Sequence, residues 1–282
     1  MQLFFNRCRG GAMHSAFKEF EHDAWQTVVD DYDASFSRLT QQSIPAILDI
    51  LQVKPGTNLL DVACGPGYLA AAAQRLGAKA SGIDFSAPMV ERARAFHPDI
   101  AFTEGDAESL ESYADNSFDA VAMLFGILHL DRPEHALKAM HRVLKPGGRL
   151  AFTAWGAQPT VPGFAIPIQA IQLLGDPDVQ LPPGPPFFYY SDPANCHDAL
   201  TRCGYRDIGT KIVDQTWVFN SPDEFFQALL KGTARTGGML KLQSPGRLAS
   251  IKADICASAS AYLNNGKVVL PMPAHLVWAI KP

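Results

Sequence analysis

Residues 61–68 read Asp61-Val62-Ala63-Cys64-Gly65-Pro66-Gly67-Tyr68. They close a short apolar run that starts at Asn58, and the alanine-rich stretch Tyr68–Leu76 that follows has helical character. A buried strand therefore runs into a glycine turn, and a helix leaves it. Gly65 and Gly67 allow backbone conformations closed to bulkier residues and let a ligand approach the main chain. The helix aims its unpaired N–H groups at the same place. Asp61 lies inside the strand, beside that turn. A carboxylate there repels a phosphate and suits a cationic ammonium or sulfonium group. Asp84 ends the next apolar run, where a carboxylate can accept hydrogen bonds from the vicinal hydroxyls of a ribose.

Working outward, strand and helix alternate. Ala80–Asp84 reads as a strand, and Ser86–Phe96 as a helix with Ser86 as its N-cap. Ile100–Glu104 and Phe118–Leu124 are further strands. Pro133–Leu144 is a helix ended by Pro146-Gly147-Gly148, and Arg149–Trp155 is a fifth strand. This pattern predicts right-handed βαβ units in an α/β protein. Upstream, Ala16–Leu51 carries Phe17, Phe20, Trp25, Val28, Val29, Tyr32 and Phe36 at roughly helical spacing, so N-terminal helices are expected. Downstream, Gln158–Ser191 is proline-rich and runs into four aromatics, Phe187 to Tyr190. Beyond it, helices are expected at Asp192–Cys203, Ser221–Leu230 (Ser221 as cap, Glu224 at the capping-box position) and Gly246–Tyr262. Strands are expected at Tyr205–Val218 and His275–Ile280. The expected architecture is a Rossmann-like, doubly wound, mostly parallel seven-stranded sheet with N-terminal helices and a helical insertion near the C-terminus. Residues 1–15 are read as a flexible leader and 16–282 as one domain. Within it, 16–155 form a cofactor-binding core and 156–282 a substrate-side region with a lid and the insertion.

Composition narrows the function. The 282 residues are 47% hydrophobic and 18% charged, enough for a sizeable core. A net charge of −4 gives no bulk attraction for nucleic acid. The cysteines are scattered without a C-x-x-C pair, so no disulfide framework and no zinc site is expected, and a cytoplasmic location fits. His135 and His141 lack acidic or cysteine partners at ligand spacing, so no metal is expected. No apolar run approaches the roughly 18 residues that span a bilayer.

The stretch Asp61–Gly67 resembles motif I of the class I S-adenosylmethionine (SAM)-dependent methyltransferases, in the small-molecule branch that includes the ubiquinone/menaquinone C-methyltransferases. Four further segments match in order: Gly82-Ile83-Asp84-Phe85-Ser86 with Met89, Glu104-Gly105-Asp106-Ala107-Glu108, Phe118-Asp119-Ala120-Val121, and Leu144-Lys145-Pro146-Gly147-Gly148. The matches cover about residues 25 to 155. The resemblance implies SAM as cofactor and a small-molecule methyl acceptor. It also implies site residues: Asp61, Gly65 and Gly67 for the methionine moiety, Asp84 for the ribose, and Phe85 and Met89 flanking the adenine. Asp106 would take the adenine amine, Ala107 the ring edge and Leu124 the methionine portion, with Tyr32 closing over the cofactor.

Two other readings stay open on the residues alone. Gly65-Pro66-Gly67, with Ala70 in the third glycine position, approximates the G-x-G-x-x-G turn of an NAD(P)-dependent oxidoreductase, although no dehydrogenase pattern accompanies it. A non-catalytic SAM-binding module is the other. His129 follows the fourth strand and is the candidate catalytic residue, either taking a proton from the acceptor or anchoring its loop. The proline and aromatic residues of the substrate-side region point to a partly apolar acceptor.

Overall fold

The computed structural model describes residues 15–176 and 178–282. The expected leader falls outside them except for Ser15, whose hydroxyl accepts from Lys18 N (3.1 Å) and caps the first helix. Helices α1 (Ala16–Thr27), α2 (Val29–Ala34), α3 (Phe36–Thr40) and α4 (Ile44–Ile50) precede the sheet. There follow β1 (Asn58–Val62), α5 (Tyr68–Arg75), β2 (Lys79–Asp84), α6 (Ala87–Phe96), β3 (Ala101–Glu104), β4 (Phe118–Met123), α7 (Pro133–Val143) and β5 (Leu144–Trp155). Leu59, Leu60, Asp61 and Val62 of β1 are all buried, the continuous burial of a strand covered by helices on both faces. The alternation along β4 shows the two layers. Val121 and Met123 meet Leu137, Met140 and Val143 of α7 on one face, while Ala120 and Ala122 meet Ile47 of α4 and Leu69 and Ala73 of α5 on the other.

The second half adds α8 (Pro162–Leu174), α9 (Pro193–Arg202), β6 (Arg206–Val213), β7 (Thr216–Phe219), α10 (Pro222–Gly232), α11 (Arg235–Lys241), α12 (Pro245–Ser260), β8 (Leu263–Asn264), β9 (Lys267–Pro271) and β10 (Ala274–Ile280). The main sheet runs β3-β2-β1-β4-β5-β10-β6. β10 is antiparallel to both its neighbours, and the other pairings are parallel. The strand order reverses between β1 and β4, so a crevice opens at their carboxyl ends. A third hydrophobic cluster lies over that edge. It joins Phe125, Leu128 and Trp155 to Phe164 of α8, Phe225 and Leu229 of α10, Ile251 and Ile255 of α12 and Leu270 of β9. No described helix is long and apolar enough to cross a membrane.

The structure departs from the sequence reading in four places. β5 begins at Leu144, so the Lys145-Pro146-Gly147-Gly148 stretch is extended rather than a separate turn. Its register against β4 shifts between Phe118 and Ala120, Gly147 takes φ +77°, and Lys281 pairs with Gly147 and Gly148 through two 2.9 Å bonds. Tyr205–Val218 splits into β6 and β7, which belong to different sheets. The break at Gln215 is held by its buried amide, which donates to Leu39 O and Ser43 Oγ. Residues 162–174 form α8 despite two prolines, one of them in the tolerated first turn. The insertion is not purely helical, because β7, β9 and β8 form a small antiparallel sheet within it.

Two glycines test this packing. At Gly67 (φ +82°) an added Cβ would stand 2.5 Å from the Phe102 ring, whereas at Gly147 (φ +77°) it would meet nothing within 4 Å. Gly147→Ala should therefore cost only left-handed strain, about 1–2 kcal/mol, and Gly67→Ala that strain plus overpacking, about 2–5 kcal/mol in all. Urea denaturation of the two variants measures the difference, and equal losses would contradict the packing described.

Candidate active site

The glycine turn after β1 is held by the end of β2. Asp84 accepts from Gly65 N through Oδ2 (2.8 Å) and from Ser86 N through Oδ1 (2.9 Å). Burial raises its carboxyl above the usual range, and those two N–H groups oppose the rise. At Gly65 (φ +49°) an added Cβ would meet no atom within 4 Å, so a side chain there would occupy the space a ligand needs. Ala63 and Phe125, at the ends of β1 and β4, also hold positive φ (53° and 56°), strain of the kind that gathers at functional sites.

Asp61 is buried on the α5 side of β1. Its Oδ2 accepts from Ala70 N (3.1 Å), while Oδ1 has no partner among the described residues. Burial pushes this carboxyl up to about 8; the Ala70 N–H works against that rise and the nearby Asp84 adds to it. A buried carboxyl oxygen without a donor suits a cationic ligand group such as an ammonium or sulfonium, which favours the ionised form.

Tyr32, Gly65, Asp84, Phe85, Met89, Asp106, Ala107, Leu124 and His129 border one cavity at the carboxyl edge of the sheet. Asp61 borders a smaller recess that shares Tyr32, Ala63, Gly65 and Leu124 with it. Gly67 lines neither. It caps α5, and the Phe102 ring takes the space of its missing side chain. Tyr32 hydrogen-bonds Thr40 Oγ1 at 3.4 Å, and burial pushes its phenol up to about 12. The helix carrying it is tied down by Asp33, which accepts from Tyr68 Oη (2.7 Å) and Arg92 (3.3 Å). Asp106 is engaged by Lys18, whose Nζ lies 2.6 Å from Oδ2, and its Oδ1 accepts from Glu108 N.

Several site residues escape the sequence reading. Lys18, Glu21 and Trp25 come from α1 and Arg235 from α11. Glu21 is fully buried and accepts from Trp25 Nε1 (3.1 Å), His129 Nδ1 (2.9 Å) and Arg235 Nε (3.2 Å). The signal was present: Phe17, Glu21 and Trp25 are four residues apart on a helix, so a carboxylate interrupts an apolar stripe. Ser86 Oγ, which donates to Trp25 O (3.0 Å), fastens the end of α1 to the end of β2.

On the far side of the cavity the walls are aromatic: Phe36, Phe125, Trp155, Phe164 and Phe187, with Phe125 and Trp155 stacked at 4.1 Å. Thr233 and Thr236 also border the cavity, with the Thr233 hydroxyl held between Leu229 O (2.6 Å) and Gly237 N (2.7 Å). Of the run Phe187–Tyr190 only Phe187 reaches the cavity. Tyr190 lies in the core edge-on to Phe152, with its carbonyl accepting from His275 Nδ1 (2.7 Å).

Comparison with known proteins agrees with this geometry. Residues 60–152 match the family described as "Methyltransferase domain". A demethylmenaquinone methyltransferase of Paenarthrobacter aurescens is 33% identical over 172 residues, covering 57% of this chain and 67% of that protein. One of Bacillus cereus is 34% identical over 164 residues, covering 54% and 68%. A solved Haemonchus contortus phosphoethanolamine N-methyltransferase in complex with SAM superposes with a TM-score of 0.56 over 96% of this chain and 61% of that one. At 19% identity that likeness concerns the fold. The nicotinamide-dependent and non-catalytic readings give way to these matches. The chain belongs to the class I SAM-dependent methyltransferases, and among them it resembles the quinone methyltransferases.

Proposed function

We propose that the enzyme methylates a small, largely apolar, ring-bearing acceptor, seated between the cofactor cradle and the aromatic walls, and that His129 takes the acceptor's proton. The observation that carries this reading is the continuity of one cavity. Asp84, Asp106 and the Gly65 turn line the same space as the rings of Phe36, Phe125, Trp155, Phe164 and Phe187, and His129 borders it too. The relatives named above act on demethylmenaquinone, which makes it the first probe acceptor.

The proposed roles draw on position. Asp61 Oδ1 faces the cationic amino-acid end of SAM, with Gly65 giving the backbone access and Leu124 bordering the methionine portion. Gly67 serves that end indirectly, by starting α5 where the turn needs it. Asp84 serves the ribose with its remaining lone pairs. Phe85 and Met89 flank the adenine, Ala107 meets its edge, and Asp106 takes its amine once Lys18 yields. Tyr32 covers the methionine end. Bound SAM supplies a methyl carbon already activated by its sulfonium, so the protein's work is alignment and exclusion of water, with alignment contributing ~7–11 kcal/mol in well-oriented cases.

Three outcomes are expected. Asp84→Ala should weaken SAM binding by ~1–3 kcal/mol in isothermal titration, and unchanged affinity would take Asp84 out of the ribose site. Asp61, raised to about 8 by burial, is largely protonated at neutral pH, while a cationic ligand favours its ionised form. SAM binding at pH 7 should therefore release close to one proton, and apparent affinity should rise with pH up to about 8. The raised value also means that the ligand-free protein loses stability as pH climbs from about 4 through 8, a loss that Asp61→Asn should flatten. Titration in buffers of different ionisation enthalpy reads the proton, and equal release by Asp61→Asn would refute the assignment. Finally, incubation with methyl-labelled SAM and reduced demethylmenaquinone, naphthols, simple phenols, bulk RNA and bulk protein should place label in a ring-bearing small molecule. Label confined to the macromolecules would overturn the proposed acceptor class.

A further inference from the structure

The buried carboxylate of Glu21 receives donors from three parts of the chain that lie far apart in sequence. Oε2 takes Trp25 Nε1 from its own helix and His129 Nδ1 from the turn after β4, and Oε1 takes Arg235 Nε from α11. Its side chain is 0% exposed, and a lone buried carboxylate is costly. Arg235 supplies the balancing charge, and its guanidinium is itself seated 4.4 Å over the Phe17 ring and donates to Pro185 O. Charge balance is thus complete without His129. Yet His129 is attached to the same carboxylate, with its side chain still 22% exposed and bordering the cavity.

An ionised carboxylate can only accept. His129 Nδ1 must therefore carry a proton to bond Glu21, and in the neutral ring the basic lone pair lies on Nε2. The geometry points to Glu21 as the positioning residue for the methyl-transfer step: from the N-terminal helix it fixes His129 in the Nδ1–H form and leaves Nε2 as the proton acceptor for a substrate O–H or N–H. In that step the acceptor's proton passes to Nε2 as the freed electron pair closes on the methyl carbon. The methyl–sulfur bonding pair stays on sulfur, and Glu21 holds the resulting imidazolium. The other charged groups bordering the same cavity are Lys18, Asp84, Asp106, Glu108, Asp131 and Arg235. Lys18 pairs with Asp106 and Glu108, Asp84 holds the glycine turn and Arg235 pairs with Glu21; among the described residues Glu21 is the one hydrogen-bond partner of the His129 ring, so it sets the tautomer. This inference rests on the proposed role of His129, and it restricts acceptors to those that must shed a proton.

The test reads the ring directly. Nitrogen-15 NMR of histidine-labelled protein, with the His129 signals assigned by H129N, should show Nδ1 protonated and Nε2 bare when the ring is neutral. E21L, which removes the acceptor, should abolish that tautomer. E21Q, which keeps an acceptor oxygen and the side chain's shape, should retain it and covers the case in which E21L fails to fold. With the acceptor that takes label, H129N should lower kcat by ~10²–10⁴-fold and E21L nearly as far, with KM for SAM held within about twofold and E21Q falling between E21L and wild type. A purely structural Glu21 would instead shift Tm and SAM affinity together and leave the tautomer alone. A wild-type His129 protonated on Nε2, or an E21L protein that keeps the Nδ1–H form, overturns the assignment of Glu21. H129N turning over at the wild-type rate overturns the proton-acceptor reading along with it.

Discussion

Two N–H groups, one from the glycine turn and one from the start of α6, converge on the carboxylate of Asp84. This junction fixes the mouth of the molecule. It sets the spacing between the ends of β1 and β2, and with them the crevice into which the cavity opens. Through Ser86, which caps α6 and holds Trp25 O, it also reaches the N-terminal helix. A carboxylate that satisfies backbone donors at a sheet edge is thus a scaffold element, and in the proposed function a binding surface as well. The two uses are compatible because each oxygen carries more than one lone pair.

Around that junction the charges are placed in pairs that bridge segments. Lys18 of α1 meets Asp106 and Glu108, and Glu108 in turn accepts from Asp131 N and Arg132 N. Glu21 meets Arg235. Asp61 alone keeps a bare buried oxygen among the described acids of the site. A folded chain ordinarily removes such an atom from its interior by giving it a donor. Its persistence beside a left-handed glycine is what the proposed cofactor role of Asp61 draws on.

The sequence made the first half of the fold legible because short apolar runs and amphipathic helices leave strong local patterns there. The β1 turn, Asp84 and the parallel, doubly wound character of the sheet near them all follow from such patterns. The second half was less readable for specific reasons. α8 hides behind prolines, one of them inside the helix. β8 and β9 are two and five residues long and make a sheet only with β7, so their pairing is non-local. The break at Gln215 depends on partners in α3 and the turn after it. Lys18 and Arg235 could not be placed by pattern, because what defines them is a contact across tens or hundreds of residues. Glu21 was different: its oddity was local, an acid on an apolar stripe, while its partners were not.

β6 finds its partner in the main sheet in β10, and β10 slots between β6 and β5. The ribosome makes β6 first, then the whole segment that roofs the cavity, and only afterwards the strand that completes the sheet. Until then β5 presents bare backbone on a half-built edge and β6 has no strand partner, the kind of surface that invites wrong pairing. The roof must consequently collapse on itself early and bring β10 back within reach. Its own packing, around Trp217, Phe225 and Leu270, thus bears on how quickly the nascent chain escapes that exposed stage.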